Sequence, residues 1–139
     1  MIDAYYFGKV DRISPEAPVP IVSVQNRENR LGGAANVALN IQALGANPIL
    51  CAVIGNDDDG KLFNHLLETQ DLSNHGIITS NDRITTVKTR IIGNNHQVLR
   101  VDSETDKVLN DSDNKSFIEK ITTLINSTKI DAVIFEDYD

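Results

Sequence analysis

A continuous run of apolar residues at 48–54 is the feature that most constrains what this chain can fold into. The run ends at Gly55, and a helical pattern with an apolar stripe at 62–67 follows directly. A run without polar alternation predicts a strand buried on both faces, as in parallel sheets covered by helices. The same pairing recurs as a helical pattern at 111–127 and an apolar run at 131–135. This alternation predicts an α/β fold with a mainly parallel sheet.

Two extended segments lie outside this alternation and predict an added β layer. Residues 20–24 favour a strand, and the prolines ahead of it place that strand at a sheet edge or in a small separate sheet, because proline cannot donate to a central ladder. Residues 26–29 are predicted as a turn. Residues 85–92 and 96–102, joined by a Gly-Asn-Asn turn, predict a β-hairpin. The β layer then occupies about 12–31 and 85–102, and the α/β core about 32–80 and 108–139.

Charge and cysteine content narrow the classes of function. The 139 residues suffice for one domain, and 13 Lys and Arg against 20 Asp and Glu give a net charge of -7. That balance argues against a broad surface for nucleic acid or for an acidic membrane. Cys51 is the single cysteine, which excludes an intramolecular disulfide. Because the sequence shows neither a signal-peptide pattern nor a membrane-spanning run, we predict a cytoplasmic protein that binds neither nucleic acid nor membrane.

Residues 31–45 join two adjacent glycines to the start of a helix. Gly32 and Gly33 let the backbone approach a ligand closely, and Asn36 in the first turn adds a donor and an acceptor. Gly45 is predicted to cap the helix in the left-handed conformation. The alternative interpretation is a junction whose glycines serve packing only. The predicted apolar face of the helix consists of Val37, Ile41 and Leu44.

The segment 55–61 resembles a phosphate-binding P-loop but lacks its chemistry. Leu62 stands where the motif needs Ser or Thr, so no hydroxyl is available for Mg²⁺, and three successive aspartates would repel a triphosphate. A Ca²⁺ loop is excluded as well, because Gly55 stands at the first ligand position. We predict instead a helix cap with an acidic first turn at 57–59.

Three cations fall within the predicted hairpin of this acidic chain. Strand alternation places Lys88 and Arg90 on one face. A two-residue turn at 94–95 would send Arg100 to the opposite face, whereas a three-residue turn at 93–95 would pair it with Lys88. We favour the three-residue turn.

The hairpin cations have two interpretations. They can anchor a phosphate or another anionic group on a small substrate, with arginine binding as a fork and lysine as a point charge. Alternatively they lie on a solvated strand face, with Asp102 and Glu104 as their partners.

Asp137, Tyr138 and Asp139 follow the last predicted strand. Open α/β sheets bind ligands at the carboxyl ends of their parallel strands, so Asp137 is a candidate site residue. The alternative is a capping or turn aspartate.

Several motifs together resemble one protein family. They are Met1-Ile2-Asp3, the Arg-Ile-Ser-Pro-Glu-Ala-Pro-Val-Pro run at 12–20, the Gly-Gly-Ala-Ala-Asn-Val-Ala block at 32–38 with Leu44-Gly45-Ala46, residues 98–102, and Asp137-Tyr138. Over nearly all of its 139 residues the chain resembles the ribokinase-like PfkB carbohydrate kinases. The di-glycine block is shared across that superfamily. The run at 12–20 is similar, more specifically, to the branch that acts on D-glycero-D-manno-heptose 7-phosphate.

The resemblance implies a ribokinase-like three-layer αβα sheet, incomplete in this chain, with a small β-sheet lid hinged at Gly32 and Gly33. It implies an ATP-dependent kinase that phosphorylates the anomeric hydroxyl of heptose 7-phosphate to the bisphosphate, in ADP-heptose and lipopolysaccharide precursor synthesis. The implied partners are a sugar phosphate and a second copy of the chain, joined through the lid. The implied substrate-binding residues are Asp3, Gly32, Gly33, Asn36, Lys88, Arg90, Arg100, Asp102 and Glu104, to which the strand-end argument adds Asp137.

In this family the ATP and Mg²⁺ site and the catalytic base belong to a C-terminal half, and a buried strand precedes the position of Met1. We therefore expect the 139-residue chain to hold the sugar site and lid, without catalytic residue, metal ligand or cofactor of its own, and to be inactive alone. Three alternatives stay open. The first two are a non-catalytic sugar-phosphate-binding or regulatory protein, and another ribokinase-like sugar or nucleoside kinase. A third is a chain whose exposed sheet edges leave it poorly folded or self-associating.

Overall fold

The computed structural model describes residues 1–137; Tyr138 and Asp139 lie outside them. Among the described helices, none has both the length and the apolar character needed to cross a membrane. In chain order the elements are β1 (Ile2–Ile13), β2 (Pro20–Leu31), α1 (Ala34–Ala43), β3 (Cys51–Gly55), α2 (Asp58–Thr69), β4 (Gly76–Ser80), β5 (Val87–Gly93), β6 (His96–Ser103) and α3 (Asp111–Ser127).

Four strands form the larger sheet, in the order β2-β1-β5-β6. β1 pairs antiparallel with β2 and parallel with β5, and β5 pairs antiparallel with β6. The prediction that prolines place β2 at an edge is confirmed, as is the hairpin. The predicted β layer left out residues 2–11, yet most of β1 lies there and both β2 and β5 pair with it.

The predicted turn at 26–29 is wrong, because β2 continues through these residues to Leu31. They pair with residues 4–7 of β1, and a bulge at Gln25 interrupts the register. Asparagine favours turns, but pairing with a long partner strand overrides that local preference.

β3 and β4 form a separate parallel sheet of two strands. α2 contacts β3, and α3 contacts both strands, so the predicted alternation of strands and helices is confirmed through α3. Phe63 and Leu67 of α2 are fully buried in a core that also contains Ile2 and Leu31 of the larger sheet. This shared core joins the two sheets.

The predicted strand at 131–135 does not form. α3 begins and ends at the predicted residues, but the described chain beyond it is irregular. Phe135 is 91% exposed. An apolar run becomes a buried strand only where a neighbouring strand offers backbone partners, and the sheet of β3 and β4 does not extend to this segment.

α1 turns a different face inward from the one predicted. Ala35 and Ala38 are buried, whereas Leu44 is 87% exposed. Small side chains let a helix approach its neighbours closely, so these alanines meet the core, together with the partly buried Leu39. Gly45 has a φ of 88°, which confirms the predicted left-handed cap.

The turn between β5 and β6 contains only Asn94 and Asn95, so the three-residue turn is wrong. Both residues have positive φ, 52° and 67°, as a type I′ hairpin turn requires. A bulge early in β6 then shifts the register by one residue, so that Arg100 lies opposite Arg90 and not opposite Lys88. The bulge returns Arg100 to the face that carries the other two cations.

Candidate functional site

One face of the larger sheet carries charged side chains from all four strands. Residues paired across neighbouring strands point to the same side of a sheet. The registers pair Asp3 with both Arg30 and Lys88, and Tyr5 with both Glu28 and Arg90. We call this side the charged face; it consists of Asp3, Tyr5, Glu28, Arg30, Lys88, Arg90, Arg100 and Asp102.

Asp3 lies at the centre of the charged face, where Arg90 holds it. Arg90 Nη1 donates to Asp3 Oδ1 at 2.6 Å, and the two side chains are 24% and 19% exposed. This hydrogen bond to Asp3 raises the pKa of the Arg90 guanidinium. Gly32 lies against the same carboxylate, since a Cβ at Gly32 would stand 2.7 Å from Asp3 Oδ2. The close approach of backbone to carboxylate is therefore the reason for glycine at this position.

Tyr5 lies between two guanidinium groups. The Cζ atoms of Arg30 and Arg90 are 4.8 and 5.3 Å from the centre of its ring, within the range of cation–π contacts. Arg30 Nη2 donates to Glu28 Oε2 at 2.5 Å, and this contact raises the pKa of Arg30. Arg30 and Glu28 are 59% and 38% exposed.

Sequence reasoning did not find Tyr5, Glu28 or Arg30. Residues 26–29 were expected to turn away from the sheet, and no strand was predicted at the N-terminus. The available signal was the alternation of Asp3, Tyr5 and Phe7, which is typical of one face of a strand.

Lys88 is the centre of a second group of charges. Its Nζ lies 3.0 Å from both Asp102 Oδ2 and Glu104 Oε2, and Arg100 Nε donates to Asp102 Oδ1 at 2.9 Å. Hydrogen bonds to Glu104 and Asp102 raise the pKa of Lys88, and those from Lys88 and Arg100 lower the pKa of Asp102. The partners named in the solvated-face alternative do pair with Lys88. The Lys88 side chain is only 18% exposed, however, so the group is partly buried.

The charges of this region balance. Four cations, Arg30, Lys88, Arg90 and Arg100, pair with four carboxylates, Asp3, Glu28, Asp102 and Glu104. An anionic ligand therefore competes with at least one carboxylate of the protein for the cation that it binds. The cost of that exchange depends on how buried each pair is.

A cleft of about 320 Å³ opens beside Asp3, at the start of α1. Gly33 precedes α1 with φ 55° and ψ -135°, a backbone conformation open to glycine and strained for other residues. That bend brings Asn36, in the first turn of α1, to the cleft. The polar residues lining the cleft are Asp3, Tyr5, Asn29, Arg30, Asn36 and Gln70, and its apolar residues are Leu31, Leu39 and Leu66.

The structure brings most of the predicted site residues together. Asp3, Gly32 and Asn36 meet at the cleft, and the charges centred on Lys88 lie on the same sheet face. Asp137 is exposed and does not line the cleft. The strand that it was predicted to follow does not form, so its placement at a strand end is wrong.

The glycine-containing loop at 55–61 is a helix cap, as predicted. Asp57 Oδ1 accepts from the Gly60 N–H at 2.7 Å, and the Asp57 carboxylate also accepts from the N–H and the hydroxyl of Thr85, each at 2.7 Å. Burial raises the pKa of Asp57, but these hydrogen bonds outweigh it and lower the pKa overall. A Cβ at Gly60 would collide with the carbonyl oxygen of Gly55, so the loop is closed upon itself.

The loop at 55–61 does not fit the phosphates of ATP. The closed loop at 55–61 has no room for a phosphate, and its Lys61 binds Asp58 at 2.7 Å. Within residues 1–137, no group of three or more His, Cys, Asp and Glu side chains is arranged to hold a metal ion.

The sequence matches known proteins along almost its full length. The profile of the family described as pfkB family carbohydrate kinase matches residues 2–136. The Bifunctional protein HldE of Helicobacter pylori strain P12 is 46% identical over 136 residues, and that of Citrifermentans bemidjiense is 37% identical over 138. These alignments cover 98% and 99% of this chain but 29% and 28% of the relatives. The chain thus spans less than a third of the length of these curated relatives.

Solved structures share the fold at low sequence identity. A carbohydrate kinase from Agrobacterium tumefaciens superposes with a TM-score of 0.53 at 19% identity, covering 73% of this chain and 32% of its own. A nucleoside kinase from Methanocaldococcus jannaschii, an archaeal member of the ribokinase family, superposes with a TM-score of 0.54 at 18% sequence identity. This match covers 73% of this chain and 33% of the nucleoside kinase. The predicted ribokinase-like α/β fold is confirmed.

Proposed function

The chain belongs to the pfkB family of carbohydrate kinases, and from that membership we propose that it forms the sugar-binding part of an ATP-dependent sugar kinase. The observation that carries the proposal is the meeting of Asp3 with Gly32 and Asn36 at one cleft, although Asp3 is distant in sequence from the other two. A carboxylate and an amide that face a cleft over a glycine backbone offer the hydrogen bonds that sugar hydroxyls need.

The proposed substrate is a heptose 7-phosphate, phosphorylated at its anomeric hydroxyl, on the path to ADP-heptose and lipopolysaccharide precursors. Two observations support this choice over other sugars. The run at 12–20 resembles the heptose-specific branch of the family, and the relatives at 37–46% identity over nearly the whole chain carry the name HldE.

In the proposed complex, Asp3 accepts a hydrogen bond from a sugar hydroxyl through Oδ2, since Oδ1 already accepts from Arg90. The Asn36 amide donates to one hydroxyl and accepts from another. Lys88, Arg90, Arg100, Asp102 and Glu104 form the wall at the phosphate end of the sugar. When bound elsewhere in the full-length polypeptide, ATP with Mg²⁺ supplies the transferred phosphoryl group.

The larger sheet is proposed as a lid that closes over the sugar. Gly32 and Gly33 link β2 to α1 and are placed to absorb the change in backbone angles. Closure of the charged face over the cleft would exclude water from the sugar, which strengthens every hydrogen bond there and suppresses hydrolysis.

We also propose that two chains associate through this lid and that the protein acts in the cytoplasm. Leu99 and Val101 of β6 are 55% and 50% exposed on the side opposite the charged face, which supports an apolar contact between lids. The single Cys51, a free thiol, supports a reducing compartment.

The proposal is tested by measuring ADP release from the full-length polypeptide that carries this chain. We expect turnover with heptose 7-phosphate at a kcat/KM well above that with ribose or fructose. Turnover on ribose or fructose alone would reassign the substrate, and no turnover on any sugar would remove the kinase assignment.

Sugar-phosphate binding without catalysis is the second candidate function. The observation that favours it is the closed loop at 55–61, the segment most like a phosphate cradle. A turnover assay separates the two. A partial kinase and a binding protein both bind sugar phosphate, but only the partial kinase regains turnover when the rest of the polypeptide is present.

A further inference from the structure

The four cations of the charged face are not equally available to a ligand. Arg90 and its partner Asp3 are both at least three-quarters buried, and Lys88 is shared between two carboxylates. Arg30 and its single carboxylate partner Glu28 are the most exposed pair of this face. Exposed pairs contribute little stability, so the contact between Arg30 and Glu28 is the easiest to open.

Position distinguishes Arg30 as well. Of these four cations, Arg30 is the one that lines the cleft beside Asp3 and Asn36. A ligand seated among the hydroxyl-binding groups therefore meets Arg30 before it meets Lys88, Arg90 or Arg100.

The stacking contact with Tyr5 orients Arg30 for contact with a ligand in the cleft. The guanidinium lies 4.8 Å from the centre of the Tyr5 ring, and this contact restricts its orientation. The contact with Glu28 uses Nη2, and a guanidinium carries five N–H donors in a fork that matches phosphate oxygens. A phosphate can thus replace Glu28 without a new placement of the side chain.

We infer that Arg30 is the residue that determines specificity for a phosphate monoester on the sugar, and that Glu28 is the counter-ion it exchanges for that phosphate. The inference rests on the proposed function, because it places a sugar in the cleft. Lys88, Arg90 and Arg100, which the resemblance assigns to the phosphate end, then shape the wall and hold Asp3 and Asp102 in place.

In this arrangement, Glu28 determines how tightly the site binds a phosphate. While Glu28 is paired with Arg30, a phosphate competes against a carboxylate that is always present, so neutralising Glu28 strengthens phosphate binding. Removal of Arg30 weakens binding of the phosphorylated sugar and leaves the unphosphorylated sugar almost unaffected, since the hydroxyl contacts of Asp3 and Asn36 remain.

The experiment compares the dissociation constants of heptose 7-phosphate and free heptose by calorimetry for Arg30→Ala, Glu28→Gln and Arg27→Ala. Arg27, also in β2, is the matched control. It stacks at 4.8 Å on Tyr6, the neighbour of Tyr5, and so lies on the face of the sheet opposite Arg30. For heptose 7-phosphate, we expect Arg30→Ala to weaken binding about tenfold or more and Glu28→Gln to strengthen it several-fold. For every other combination of variant and sugar, we expect a dissociation constant within about twofold of that of the parent chain.

The outcomes separate the inference from the proposed function. If the parent chain binds both sugars but Arg30→Ala changes neither, or weakens both equally, the role of Arg30 is refuted and the sugar site stands. If the parent binds neither sugar, the proposed function fails and the inference falls with it. Should Arg30→Ala fail to fold, Glu28→Gln and Arg30→Lys decide: tighter phosphate binding in the first and weaker in the second support the exchange, and no change in either overturns it.

Discussion

Arg90 and Asp3, 87 residues apart in the chain, form a hydrogen-bonded ion pair of 2.6 Å between the parallel strands β1 and β5. The pair joins the N-terminal strand to the hairpin and sets the carboxylate against the backbone of Gly32. Local sequence does not reveal this contact, yet it positions the group that we propose to bind a sugar hydroxyl.

A double-mutant cycle measures that pair. Because both side chains are largely buried, either Asp3→Asn or Arg90→Ala leaves a poorly satisfied partner, and we expect a coupling of about 1–2 kcal/mol in the free energy of unfolding. Urea denaturation gives the values. Glu28→Gln with Arg30→Ala is the exposed comparison, with an expected coupling below about 1 kcal/mol. Equal couplings for the two pairs would contradict the burial argument.

Asn36→Ala is expected to weaken sugar binding by about 1–3 kcal/mol, the range for a hydrogen-bond partner left unpaired in a site. Asn40 lies one turn further along α1, is exposed and does not line the cleft, so Asn40→Ala is the matched control. Calorimetry with the sugar phosphate distinguishes the variants. An unchanged affinity in Asn36→Ala would return Asn36 to the packing interpretation.

Gly32→Ala tests the close approach to Asp3. The added Cβ would stand 2.7 Å from the Asp3 carboxylate and push it away, so the dissociation constant for sugar should rise about tenfold. Gly45→Ala is the comparison: it meets nothing within 4 Å but sits at a φ of 88°. It should cost about 1 kcal/mol of stability through backbone strain and leave the sugar affinity unaltered. Loss of sugar affinity in both variants would point to unfolding instead of site geometry.

We expect the free energy of unfolding to fall in acid, because the Asp57 carboxylate becomes protonated. Its pKa in the folded chain is below the ordinary value of 3.8, so its contribution is present above that value and is lost as the pH falls through the folded pKa. Asp57→Asn should lower the free energy of unfolding by about 1 kcal/mol at pH 7. Between about pH 4 and pH 2, the free energy of unfolding of this variant should decline less than that of the parent. Asp58, whose side chain is 97% exposed, provides the control in Asp58→Asn. Parallel pH profiles for the parent and Asp57→Asn would rule out this role.

The proposed contact between lids is tested by Leu99→Asp, measured as sedimentation in the ultracentrifuge. A charge in an apolar contact is strongly unfavourable, so the variant should be monomeric at concentrations where the parent is dimeric. Val108→Asp introduces the same charge at a residue that is 91% exposed outside the sheets, and should leave the parent's state intact. A dimeric Leu99→Asp chain would exclude this contact surface.

The elements with strong local signals were predictable from the sequence. The apolar run at 48–54, the stripe of α2 and the Asp57 cap each depend on neighbours in sequence, and each lies at or near the predicted position. The residues of the proposed site with special backbone needs, Gly32 and Gly33, were found for the same reason.

The rest depends on partners that are distant in the chain. Residues 26–29 became strand because β1 pairs with them, and the run at 131–135 did not because no described strand does. Arg30 and Tyr5 entered the site through that same pairing. Arg100 reached the predicted face through a bulge whose position in β6 has no marker in the sequence.

The central claim is that a phosphorylated sugar binds where Asp3, Gly32 and Asn36 meet. Titration of the ¹⁵N-labelled chain with heptose 7-phosphate, followed by amide chemical shifts, tests it most directly. We expect the largest changes at these residues and at Arg30. Changes centred on a different cleft, lined by His75, Lys120 and Thr123, or no changes at saturating ligand, would refute this placement.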